Sequence, residues 1–227
     1  MKRLRAIVFD FDGVIANSEP LHFRGYRDVL EEESIALSAH DYYAHYLGFD
    51  DVGAFEAIGR RHGAAWNRER IRDLVARKAV RLEELERDVS VLFPGAADAI
   101  RRASQAMPIA IASGARGDEI RRVLVREGLS QCFTAIVAAE DTPVSKPAPD
   151  PYLRALALLA PVLDHRLEAA DCVAIEDSHW GLESARSAGM RTVAVTNTYA
   201  ADQLSADLTI SSLHDIDLDL LDRLCSS

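Results

Sequence analysis

The sequence predicts a doubly wound α/β protein, a parallel sheet with helices on both faces, carrying a separate helical segment inserted after the first strand. Three observations lead there. Short apolar runs with β-branched members recur at 4–9, 109–112, 135–138, 172–175 and 192–195. From the second run onward they are spaced widely enough for a helix between them. Several of those spacers have helical period: Ile120, Val123 and Leu124 before Gly128, and Trp180, Leu182 and Ala185 before Gly189. Strands alternating with helices imply parallel pairing and two covered faces. The third observation is that residues 15 to 92 contain no strand pattern at all.

Taken in order, the run from Leu4 to Phe9 reads as a buried strand that stops at a polar loop, Asp10 to Gly13. The insertion follows. Phe23, Tyr26, Val29 and Leu30 share one helical face, as do Ile71, Leu74, Val75, Ala79 and Leu82, while Gly48, Gly53, Gly59 and Gly63 punctuate the middle. Its end is marked by Phe93-Pro94-Gly95, with Pro94 suited to the first turn of a helix and Gly95 to a tight return of the chain. The expected organisation is therefore a Rossmann-like core of residues 1–14 and 93–227 with a helical domain of residues 15–92. The stretch from Ala160 to Asp171 reads as an enlarged helix-to-strand connection with no assigned role.

Composition narrows the function classes. A chain of 227 residues, 48% hydrophobic and 27% charged, is too large for a disulfide-stapled module and too apolar for disorder. No apolar run approaches the roughly 20 residues needed to span a bilayer. The basic start Lys2-Arg3-Leu4-Arg5 imitates a signal peptide, but Asp10 and Asp12 cut the apolar stretch short, so a cytoplasmic protein is expected. Cys132, Cys172 and Cys225 lack metal-ligand spacing and read as buried small residues. The formal net charge of -10, with no basic tail or stripe, offers no footprint for nucleic acid or an anionic membrane.

In open α/β sheets ligands gather at the carboxyl ends of the strands, so the residues that follow each strand carry the functional reading. After the first strand come Asp10-Phe11-Asp12-Gly13-Val14; after the second, Ser113 and Gly114; after the third, a loop with Lys146-Pro147; after the fourth, Glu176-Asp177-Ser178. Each fragment alone has an ordinary explanation: a turn, a solvated lysine, or acids capping a helix. Lys146 stands out because lysine is rare here, the others being Lys2 and Lys78. Together they are the inventory for a hard divalent cation, a phosphoryl group and an aspartate nucleophile.

These four ordered fragments, with Lys146-Pro147-Ala148-Pro149-Asp150-Pro151-Tyr152 and Gly181-Leu182 and Ala188-Gly189-Met190 after the fourth, resemble the motifs of the haloacid dehalogenase superfamily. The insertion, opening Asn17-Ser18-Glu19-Pro20-Leu21-His22, is similar to the helical cap of its β-phosphoglucomutase-like phosphatase branch. The resemblance implies that Asp10 attacks phosphorus and binds Mg²⁺. It implies that Asp12 protonates the leaving oxygen and then activates water, while its backbone carbonyl binds the metal. Ser113, Gly114 and Lys146 would hold phosphate, Asp177 would complete the metal site, and Glu176 would ligate the ion or support it from outside. Ser178 is assigned to helix capping. Glu19, His22 and the segment Tyr46 to Asp51 are the cap's candidates for substrate choice. Asn17 departs from the family's usual aspartate.

The function so implied is a Mg²⁺-dependent phosphatase acting on a small phosphorylated metabolite, a sugar phosphate or similar phosphomonoester, through an aspartyl-phosphate. The expected partner is that substrate, with no nucleic acid or membrane, for a monomer or weak homodimer. The alternative is a β-phosphoglucomutase-type phosphosugar mutase. A dehalogenase ranks lower because Asp12 is present. A phosphonate hydrolase ranks lower because its Schiff-base lysine would have to be Lys78, in what reads as an ordinary charged helix.

Overall fold

The computed structural model describes residues 3–46, 49–87, 89–163 and 167–226. The chain divides into two compact units, Met1–Asn17 with Val91–Ser227, and Ser18–Ser90. These breaks lie slightly inside the expected segment 15–92, because the two linking strands of chain pair with one another. Ala16 bridges Leu92 in antiparallel fashion. Asn17 N donates to Val91 O at 2.6 Å and Phe93 N to Ile15 O at 3.0 Å.

The chain enters the larger unit as strand β1 (Ala6–Phe9), and the described residues of the smaller one then form helices α1 (Glu19–Glu32), α2 (Ala39–His45), α3 (Asp51–Arg61) and α4 (Arg68–Glu86). Ser38, Asp50 and Asn67 start the last three, each side-chain oxygen accepting a backbone N–H of the first turn. Tyr26, Val29 and Leu30 of α1 pack with Tyr42, Phe55, Ile58, Ile71 and Leu74 in one apolar cluster. The face of α4 differs from the sequence reading at one position: Ala79 is exposed and Lys78 is buried. Residue 78 lies four beyond Leu74 and four before Leu82, so the helical period places it inward despite its charge.

The larger unit continues with α5 (Ala96–Ala106), β2 (Ile109–Ala112), α6 (Gly117–Arg126), β3 (Ala135–Val137), α7 (Asp150–Leu159), β4 (Cys172–Glu176), α8 (His179–Ser187), β5 (Arg191–Val195), β6 (Leu208–Ile210) and α9 (Leu218–Cys225). Among the described residues these strands pair in parallel, in the order β3-β2-β1-β4-β5-β6. The middle strands β1, β2 and β4 are buried throughout. One face fills with small residues, among them Val8, Ala110 and Ala174, against Tyr152 and Ala155. Strand β6 is absent from the sequence reading, since an edge strand of three residues, with Leu208 half-buried, Thr209 exposed and Ile210 buried, leaves little apolar pattern. Pro94 precedes α5 rather than entering it; Gly95, at φ 82°, is its N-cap. Trp180 is on the exposed side of α8, and Cys132 is only half-buried, whereas Cys172 and Cys225 are buried. The connection after α7 forms short 3-10 turns at Ala160–Leu163 and Ala169–Asp171, with residues 164–166 outside the described ones. Among the described residues no helix is long and apolar enough to cross a membrane.

Candidate active site

The strand order sets the place of the site. The chain builds outward from β1 to β2 and β3, then returns to the other side of β1 and builds β4, β5 and β6. The crevice beyond the carboxyl ends of β1 and β4 is the point where winding reverses, the position at which sheets of this kind bind ligands. Asp10 follows β1 directly, Glu176 ends β4, and Asp177 follows it.

These three carboxylates are buried and each offers an oxygen within 4.8 Å of the others, a set able to hold a metal ion. Lys146 brings its ammonium between two of them, 2.9 Å from Asp10 Oδ1 and 2.6 Å from Glu176 Oε1. Glu176 is fully buried and fully engaged. Its Oε1 also accepts from Tyr152 Oη at 2.8 Å, and its Oε2 accepts from Asp177 N at 3.1 Å and Ser178 Oγ at 3.3 Å. Four donors match the four lone-pair sites of a carboxylate. Ser178 also accepts from Gly181 N, capping α8 as its position implied.

Charge is unbalanced in this cluster. Burial pushes the Asp177 carboxyl up to about 8, with the charges of Asp10 and Glu176 adding to the effect. Burial and the charge of Asp10 also raise Glu176. Burial alone would lower Lys146, but Asp10 and Glu176 beside it outweigh that and hold its ammonium above the ordinary lysine value. Three buried acids facing one ammonium leave negative charge that a cation would neutralise, so the donor set fits a hard divalent ion.

The other candidates fall as follows. Asp12 is half-buried in the turn after β1, where it bridges Ala16 in strand-like pairing, and is not a member of the carboxylate group. Ser113 is buried at the end of β2; its N–H donates to Val137 O and its Oγ accepts from Ala115 N at 3.1 Å. A side chain at Gly114 would meet open space, so packing does not demand glycine there. Glu19 and His22 lie on α1 in the smaller unit. His22 Nδ1 is 2.8 Å from Lys78 Nζ, which donates to Asp51 Oδ1 at 2.7 Å; Tyr26 Oη donates to the same oxygen, and Tyr42 Oη donates to Glu19. Burial raises the Glu19 carboxyl. Of the segment Tyr46 to Asp51, Tyr46 is buried, Phe49 is half exposed and Asp50 caps α3, while Leu47 and Gly48 lie outside the described residues.

Sequence reasoning missed Tyr152, Asn197 and Thr198. Tyr152 stands in the lysine loop's own motif, yet its hydrogen bond to Glu176 is invisible without the fold. Thr198, after β5, donates its hydroxyl to Asp177 Oδ2, and Asn197 Nδ2 donates to Gly13 O at 2.8 Å.

Fold and site together define a doubly wound α/β protein with a lysine-bridged acidic centre at its switch point. The chain belongs to the haloacid dehalogenase-like hydrolases, whose family model matches residues 7–195. It is 28% identical to hexitol phosphatase B of Escherichia coli (strain K12) over 95% of each chain. It is 29% identical to beta-phosphoglucomutase of Bacillus subtilis (strain 168), over 96% of this chain and 94% of that one. Among solved structures, CbbY from Rhodobacter sphaeroides in complex with Xylulose-(1,5)bisphosphate is 25% identical and superposes with a TM-score of 0.77, covering 93% of this chain and 96% of that one.

Proposed function

We propose that this chain is a Mg²⁺-dependent phosphatase that hydrolyses a small phosphorylated metabolite, a sugar phosphate or similar phosphomonoester, with Asp10 as nucleophile. The observation that carries the reading is Lys146 set between Asp10 and Glu176, within a carboxylate group completed by Asp177. Asp10 and Asp177 would hold the ion, and Glu176, its lone pairs filled by four donors, would position Lys146 from outside. Bound Mg²⁺ supplies positive charge that lets two anions, carboxylate and phosphate, approach.

In the first step a carboxylate oxygen of Asp10 attacks phosphorus and the bond to the leaving oxygen breaks, while Asp12 gives the leaving oxygen its proton. In the second, Asp12 takes a proton from water, the water oxygen attacks phosphorus, and Asp10 departs as carboxylate with inorganic phosphate released. Lys146 offsets the charge gathering on the phosphoryl oxygens. Ser113 retains an O–H to donate to phosphate, and the open space at Gly114 suits close approach of the backbone. The smaller unit would act as the cap, with Glu19 and His22 in its polar network. Cytoplasmic residence suits the free cysteines.

The test is phosphate release from a panel of sugar phosphates, phosphoglycolate and nucleotides with Mg²⁺. Turnover is expected for the wild type, and Asp10→Asn should lower it by roughly three orders of magnitude or more without changing the circular dichroism spectrum. Retention of activity within tenfold would remove Asp10 as nucleophile. The mutase reading, favoured by the Bacillus subtilis relative, is separated by assaying isomerisation of glucose 1-phosphate alongside.

A further inference from the structure

We propose that the loop after β5 is a positioning element for the metal site, with Thr198 orienting the Asp177 carboxylate and Asn197 fixing the turn that carries Asp12 and Gly13. The inference rests on the metal reading above and adds residues that no motif marked. The carboxylate of Asp177 has two oxygens with different surroundings. Oδ2 accepts the Thr198 hydroxyl and faces Gly13, where a Cβ would run into the carboxylate. Oδ1 is thereby left as the oxygen available to a cation.

Gly13 is required twice over, by this close approach and by its φ of 79°, which other residues rarely adopt. A turn so placed needs to be held, since a small shift would either crowd Asp177 or release it. Asn197 holds it by donating to Gly13 O across 184 residues of sequence. The loop is itself anchored: Tyr199 packs on His179, the first residue of α8, with ring centroids 4.8 Å apart. Asp177, Gly13 and His179 therefore all meet three consecutive residues, 197 to 199. Groups that orient a ligating carboxylate typically change metal affinity by about 10-fold to 100-fold when lost.

The experiment measures Mn²⁺ and Mg²⁺ binding to the full chain by calorimetry without substrate, alongside the Mg²⁺ dependence of phosphate release and thermal melting. Thr198→Val keeps the shape and removes the donor, and is expected to weaken cation binding about 10-fold. Thr198→Ser, which keeps the hydroxyl, should bind within about twofold of the wild type, a rescue that a purely packing role of the methyl group does not predict. Asn197→Ala should weaken binding in the same direction, and serves should Thr198→Val fail to fold. Unchanged cation affinity in both Thr198→Val and Asn197→Ala, with the wild type binding normally, would overturn the proposal. A wild type that binds neither cation would instead overturn the metal reading on which it rests.

Discussion

Lys146 lies within 3 Å of two carboxylates while exposing only 13% of its side chain, so its charge is spent inside the site rather than on solvent. Replacing it by Gln keeps length and hydrogen bonding but removes the charge. Lys146→Gln is expected to lower kcat/KM for phosphate release by about 100-fold or more, the scale seen when a preorganised stabiliser of developing charge is lost. A decrease under tenfold would mean that the ammonium serves Glu176 structurally and does little for the reaction. This residue was legible in the sequence because lysine is scarce and its loop is framed by prolines. Tyr152 was not: an aromatic residue in a helix reads as core, and here it is both core and a donor to Glu176.

At the scale of elements, α4 shows where a charge pattern misleads. Its first half reads Arg68-Glu69-Arg70 and continues rich in charge, so Lys78 looks like one more solvated residue. In the fold it is 1% exposed, its ammonium paired with Asp51 at the start of α3, bonded to His22 of α1 and set 4.8 Å from the centre of the Tyr26 ring. Removing one partner strands the other in a dry place. Asp51→Asn is expected to lower unfolding free energy by about 2 kcal/mol, less than for a fully buried pair because Asp51 keeps 29% exposure. Adding Lys78→Met should recover much of the loss. Burial opposes ionisation of Asp51, but Lys78, Tyr26 and His22 together hold its carboxyl below the ordinary value. A lowered folded-state pKa means that the stabilisation is complete above the ordinary carboxylate pKa of about 4 and fades as pH falls through the lowered value. Urea unfolding of wild type and Asp51→Asn should therefore converge on acidification below about pH 4; a gap independent of pH would place the stabilisation elsewhere.

For the whole molecule, the acidic centre joins β1 to β4, so an ion held there should stabilise the fold as well as the reaction. At a concentration 100 times its dissociation constant, a bound cation contributes about 2.7 kcal/mol, which in a chain of this size raises the melting temperature by about 5–10 °C. Chelation should reverse that rise, and Asp177→Asn should abolish it. A wild type whose melting is indifferent to Mg²⁺ would show that the carboxylate group holds no ion at these concentrations. By itself the sequence determined the alternation of strand and helix, the helical insertion and the four polar loops that face one edge of the sheet. It did so because buried strands and amphipathic helices impose local periods, and because strand ends fix where polar residues emerge. Only the tertiary structure decided which of those polar residues touch. Glu176 rather than Asp177 receives Lys146, Lys78 is interior, β6 completes the edge, and Thr198 and Asn197 reach back to Asp177 and Gly13. Such contacts join residues up to 184 positions apart, and a distance of that kind leaves no mark on local pattern.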